Sequence, residues 1–160
     1  MISAPRRGAS HETACRSPLA GASWESVPVL LPLREDLDRQ GLEAQIRNAG
    51  LSDADRRTAA LRLGFLQRAS TPTRVSRLSL APGVSLLCLP GEPFIEYQLF
   101  AASLDDFVVV AGYGDTGPGY VPLARSFAEG GYEITASGVS AGAEKALKRT
   151  LASLLREARP

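Results

Sequence analysis

One carboxylate, Glu92, and two tyrosines, Tyr120 and Tyr132, stand where this sequence could support chemistry. Glu92 follows Leu89-Pro90-Gly91, and Tyr113, Tyr120 and Tyr132 each follow a glycine, the first two within the run Gly112 to Tyr120 and the third within Gly130-Gly131-Tyr132-Glu133. A carboxylate in such a place can ligate a metal ion or act as a general base; it can also simply favour a helix start through the dipole. A phenol can donate a hydrogen bond to a developing oxyanion or pack its ring with the hydroxyl in water. Asp115 can ligate a cation or close an Asx-turn. The glycines around these side chains permit positive φ and close approach of backbone to a ligand. The run from Gly112 is neither a phosphate-binding loop nor a dinucleotide fingerprint, because no Gly-Lys-Ser/Thr follows it and the glycine spacing differs.

The residue types also exclude chemistry. His11 is the only histidine and falls in a polar N-terminal stretch, so a Ser-His-Asp or Cys-His pair would have to use it. A zinc site with two imidazole ligands cannot be built from this chain alone. Cys15 and Cys88 are its only cysteines; they do not form a disulfide framework, and Cys88 reads as a buried small hydrophobe. The formal net charge of +1 creates no field that would recruit nucleic acid or an anionic membrane. No apolar run approaches the ~20 residues that cross a bilayer. Arg6 and Arg7 are not followed by an apolar stretch, so no signal peptide is read and the chain as given is expected in the cytoplasm.

The elements that must position these residues are legible in outline. Residues 1–30, and most plainly 1–26, are rich in Ser, Ala, Gly, Pro and Arg and are expected to be disordered, with Trp24 as an exception. Residues 31–160 read as a single domain. A polar helix is expected over 34–48 and a clearer one from an N-cap at Ser52 to about Ser70. Arg74 to Leu80 alternates as a half-buried strand, Ala81-Pro82-Gly83 turns, and Val84 to Leu89 is a continuous apolar run, together a hairpin leading into a central strand. Pro93 fits the first turn of a helix to about Ser103. Phe107 to Ala111 is a second buried strand, 112–119 a loop, 122–128 a short helix and 140–156 a last amphipathic helix. The strand-helix-strand unit favours a parallel pair. The expected class is α/β, with α+β as the alternative: a small, partly parallel sheet with flanking helices.

The motifs Leu89-Pro90-Gly91-Glu92, Gly117-Pro118-Gly119-Tyr120-Val121-Pro122 and Glu129-Gly130-Gly131-Tyr132-Glu133 resemble the C-terminal part of the catalytic domain of neutral/alkaline (non-lysosomal) ceramidases, and more nearly the ceramidase-like bacterial proteins. The resemblance spans roughly residues 75–156. It implies a portion of a zinc-dependent amidase that hydrolyses the N-acyl bond of ceramide, a lipid amide, to sphingosine and a fatty acid. It implies Glu92 and Tyr120 as zinc ligands and Tyr132 as the phenol that holds the scissile carbonyl and its tetrahedral intermediate. Gly119 and Tyr113, in the same loop, are the expected substrate contacts.

The family's histidine ligands come from upstream sequence, and nothing in residues 1–74 resembles it. The chain alone is therefore expected to be inactive, its site completed by an upstream segment or a partner chain. Two alternatives stand beside this: a non-catalytic structural or interaction domain on the same scaffold, and a small-molecule binding module using the Gly112 to Tyr120 loop. An uncovered edge or face of the sheet would favour self-association.

Overall fold

The computed structural model describes residues 21–105, 107–115 and 117–156. The readings placed on Arg6, Arg7, His11 and Cys15 lie outside the described residues. The elements run β1 (Ser23–Val29), α1 (Arg39–Arg47), α2 (Asp53–Gln67), β2 (Thr73–Ala81), β3 (Val84–Pro90), β4 (Glu92–Pro93), α3 (Ile95–Ala102), β5 (Phe107–Gly114), β6 (Tyr120–Val121), α4 (Ser126–Glu129), α5 (Tyr132–Thr135) and α6 (Gly142–Arg156).

The alternation of β2 and the apolar run of β3 form the expected hairpin around Gly83, whose φ of +72° suits the turn. Behind it, α3 carries the chain over to β5, which pairs parallel with β3. The main sheet has the order β1-β2-β3-β5 and is mixed, with β1 and β2 antiparallel and β3 and β5 parallel. The class is α/β, a partly parallel sheet with flanking helices. β1 lies within the stretch whose composition reads as disordered. Its seven residues pair with β2 from Ser23–Ser79 to Val29–Thr73, and Pro28 is tolerated because β1 is an edge strand.

One face of the sheet holds the core. Val75, Leu87, Leu89 and Val108 point to the side where α3 and α6 pack, against Tyr97 and Ala101 and against the stripe Ala143, Leu147, Leu151 and Leu154. Three- and four-residue spacing along α6 puts that stripe on one face. α1 and α2 form a smaller cluster through Leu37, Leu42 and Ala59. Both have side-chain caps, Asp38 accepting from the Gln40 and Gly41 amides and Ser52 from the Asp55 amide. α1 is shorter than the expected 34–48 because Asp38 starts it and Leu33 instead bridges to Val139.

The other face of the sheet is open. Trp24, Leu78, Leu86 and Val109 stand in register across all four strands. Trp24 is 60% exposed, Val109 49% and Phe107 63%. Cys88 lies on this face and is half-buried, which corrects the expectation of a buried thiol: in β3 the even positions point away from α3 and α6, while Ser85, Leu87 and Leu89 point in. No described helix is long and apolar enough to cross a membrane.

Candidate active site

The carboxyl ends of β3 and β5 lie side by side, the usual place for ligand sites in open α/β sheets. Pro90 ends β3, and Gly91 turns the chain with φ +68°. A Cβ at Gly91 would strike the Gly119 carbonyl, and a Cβ at Gly117 would overlap the Gly91 amide nitrogen. Only glycine lets these two backbones touch. The contact seats β4 against β6 as a two-stranded parallel ladder in which Glu92 pairs with Tyr120 and Pro93 with Val121. The Glu92 amide donates to the Gly119 carbonyl at 2.8 Å and the Gly91 amide to the Gly114 carbonyl at 3.3 Å. Pro93 therefore belongs to a strand pair and not to the first helical turn, and α3 starts two residues later, at Ile95.

Three of the tyrosines gather around Glu92. The Glu92 carboxylate is near enough to the Tyr113 and Tyr120 hydroxyls to raise both phenols. Tyr132, at the start of α5 behind Gly130 and Gly131, sets its ring on that of Tyr120 at 6.0 Å between centroids and 78° between planes, an edge-to-face pair. Tyr113 and Tyr132 are 76% and 72% exposed, so the cluster opens to solvent. Tyr113 takes φ 60° and Asp115 φ 44°, a left-handed backbone that costs a non-glycine residue about 1–3 kcal/mol and recurs at functional sites. Asp115 ties this loop to β2, because its carboxylate accepts from the Arg74 amide at 2.5 Å. β5 runs on to Gly114, so the expected loop at 112–119 begins as strand. Gly119, at φ +72°, is exposed, and its carbonyl is committed to Glu92.

Supporting residues escape a reading of the sequence. Arg34 Nη1 donates to the Ile134 carbonyl at 2.7 Å and Arg62 Nη2 to the Thr135 carbonyl at 2.5 Å, two arginines from distant elements fixing α5 and with it Tyr132. Ser137 Oγ donates to the Tyr120 carbonyl at 2.9 Å, and the buried Tyr97 hydroxyl to the Pro122 carbonyl at 3.1 Å. Nothing in their local pattern marks them, since each partner is a backbone carbonyl far away in sequence.

The phenols are held protonated. Tyr113 is raised above its ordinary value of 10.0, first by its hydrogen bond to Glu92. Tyr120 is raised first by desolvation, then by the Glu92 charge and hydrogen bond. The neutral phenol is the form that donates, so this bonding is present below pH about 10 and is lost as pH rises through the raised values. In Glu92→Gln, absorbance titration of the tyrosines is expected to show Tyr113 falling back towards 10 and Tyr120 falling only part way, since its desolvation remains. An unchanged titration would mean that the carboxylate does not hold the phenols.

As a metal site the cluster is partial. Among the described residues no three His, Cys, Asp or Glu side chains come together. Glu92 and the phenols offer oxygen donors only, whereas zinc sites draw mainly on imidazole and thiolate. By themselves these residues offer only part of a zinc ligand set.

The fold and cluster together define an α/β scaffold carrying a carboxylate–phenol site at the carboxyl ends of its parallel strands. That scaffold is ceramidase-like. The crystal structure of neutral ceramidase from Pseudomonas aeruginosa matches 88% of this chain with a TM-score of 0.54 at 12% identity, and a structure of ceramidase complexed with C2 matches 56% with a TM-score of 0.49 at 18% identity. The matches cover 29% and 16% of those chains respectively, so this chain spans less than a third of their length. No family model matches the chain, and no curated protein matches it significantly by sequence.

Proposed function

We propose that this chain carries one part of the active site of a zinc-dependent N-acyl amide hydrolase of the neutral ceramidase kind, and that it is inactive by itself. The observation that supports this best is the backbone pairing of Glu92 with Tyr120, whose ring packs against that of Tyr132. In this reading Glu92 and Tyr120 supply two oxygen ligands, and histidines from an upstream segment or a partner chain supply the rest. The Tyr132 phenol, exposed and fixed by Arg62 and Arg34 through α5, donates to the oxyanion of the tetrahedral intermediate. Tyr113 and Gly119 border a lipid amide substrate. A cation at Glu92 would also cancel the negative charge that helps to hold Tyr120 protonated.

Zinc titration of the chain by calorimetry tests the ligand assignment. Glu92→Gln is expected to weaken binding by about tenfold or more; identical affinities would remove Glu92 from the ligand set. Hydrolysis of a fluorogenic ceramide by the isolated chain would overturn the inactive assignment.

The open sheet face favours a second reading, a docking domain in which Glu92 and the tyrosines are relics. Exposed apolar area of this kind marks interaction surfaces, and it would also drive self-association. Zinc titration and light scattering separate the outcomes: absence of zinc binding together with self-association favours the docking domain, and a zinc-binding monomer favours the first reading.

A further inference from the structure

A groove of ≈ 490 Å³ runs beside α6, outside the stripe that packs on the sheet. Phe100 of α3, half-buried, and the small side chains of Ala124, Ala141 and Ala152 supply its apolar lining. Its charged lining is four cations, Lys145, Lys148, Arg149 and Arg156, against one acid, Glu144.

The acid is already committed. Glu144 accepts from Lys148 Nζ at 2.6 Å and from the Ala124 amide at 2.6 Å. Lys148 also lies over the Phe100 ring, 5.4 Å from its centroid. Lys145, Arg149 and Arg156 are left over. All three are exposed, and none has an ion-pair partner among the described residues. By contrast Arg47, Arg56 and Arg125 meet Glu43, Asp53 and Glu96.

Steps of four and seven residues put the three cations on one face of α6, with Ala152 between the last two. They span ~16 Å along the axis. The stability of α6 accounts for only one of them. Arg156 suits the negative end of the dipole, but Lys145 stands in the first turn, where a cation is disfavoured, and Arg149 is too far from either end to gain.

Uncompensated cations beside an apolar lining complement a surface that is acidic and apolar at once. The alanines let a partner backbone come close, and the spacing of the cations matches acids at three- and four-residue steps on a second helix. We propose that this groove docks an acidic amphipathic helix of a partner protein, its carboxylates on Lys145, Arg149 and Arg156 and its apolar side chains against Phe100 and Ala124. The docking is independent of metal chemistry at Glu92.

Fluorescence anisotropy with the full chain tests it. The probe is a labelled peptide of about 14 residues, ~21 Å long as a helix, with glutamates at three- and four-residue steps on one face and leucines on the adjoining face. Micromolar binding is expected, weakened about tenfold or more between about 0.05 and about 0.5 M salt. Lys145→Glu combined with Arg149→Glu is expected to weaken it about tenfold or more with the thermal melt retained, since both side chains are exposed. Lys145→Gln with Arg149→Gln is expected to weaken it severalfold. Arg39→Glu with Arg57→Glu changes the net charge equally on exposed positions of α1 and α2 and is expected to change affinity by less than about twofold. Ala152→Trp, which would fill the groove, is expected to weaken binding severalfold. Absence of peptide binding, insensitivity to Ala152→Trp, or equal losses from the two glutamate pairs would overturn the proposal. So would binding to phosphatidylglycerol vesicles without binding to the peptide, since the face would then meet a lipid surface.

Discussion

Arg77→Ala is expected to destabilise the fold by about 3–5 kcal/mol, among the largest effects of any single side chain here. Arg77 lies in β2 on the core face, between the strand and α6, and is 4% exposed. Its Nε donates to Ser85 Oγ at 2.9 Å and its Nη1 to the Leu154 carbonyl at 3.0 Å. Leu154 is in the last turn of α6, where carbonyls lack intrahelical partners. A cation there both satisfies one of them and meets the negative end of the dipole. Truncation leaves a void, an unpaired carbonyl and an unpaired hydroxyl, all buried. Arg77→Met would keep most of the volume and relieve the desolvation of a buried charge, so it is expected to recover part of the loss. Urea unfolding at constant slope measures both. Equal midpoints for Ala and Met would show that the hydrogen bonds and not the volume carry the effect, and a wild-type midpoint for Ala would show that the bridge from β2 to α6 carries nothing.

Arg77 also shows where sequence reading stops. The alternation from Arg74 to Leu80 locates β2, but it places arginine on the same face as Val75, which by polarity alone suggests solvent. What turns that face inward is α6, seventy-seven residues away at the Arg77–Leu154 contact. β1 escapes for a related reason. Ser, Trp, Glu and Pro give it little intrinsic strand character, and its stability comes from pairing with β2, as in the Ser26–Ser76 hydroxyl bond at a separation of 50 residues. The hairpin, the crossover through α3 and the last helix are legible because their periodicity and turn residues are local. The Ser52 cap is legible for the same reason.

The site is half legible. Glycines beside Glu92, Tyr120 and Tyr132 announce loops held for a purpose, and the structure brings those three residues and Tyr113 together. The two-strand ladder of β4 and β6 cannot be read, because each strand is only two residues long and exists through its partner. Nor can the edge-to-face contact of Tyr120 with Tyr132, which depends on Arg34 and Arg62 gripping the end of α5.

Gly117→Ala is expected to cost about 3 kcal/mol or more and to dismantle the Glu92 cluster. The reason is a backbone-to-backbone approach: the added methyl would occupy the place of the Gly91 amide nitrogen, and neither chain has a flexible side-chain end that can yield. Relief requires β6 to withdraw from β4. The Glu92–Tyr120 register would go with it, since the amide of Glu92 is held by the Gly119 carbonyl. Two readouts should therefore move together. The unfolding midpoint falls, and Tyr113 and Tyr120 titrate nearer 10 as Glu92 moves away from them. Gly64→Ala is the matched control, a helical glycine with open space around it, and is expected to gain about 0.5–1 kcal/mol with the tyrosine titration unchanged. A Gly117→Ala protein that melts normally and keeps both phenols raised would mean that the strands bearing Glu92 and Tyr120 do not meet at this crossing. The carboxylate and the phenols would then lose the shared pocket on which any amide chemistry here depends.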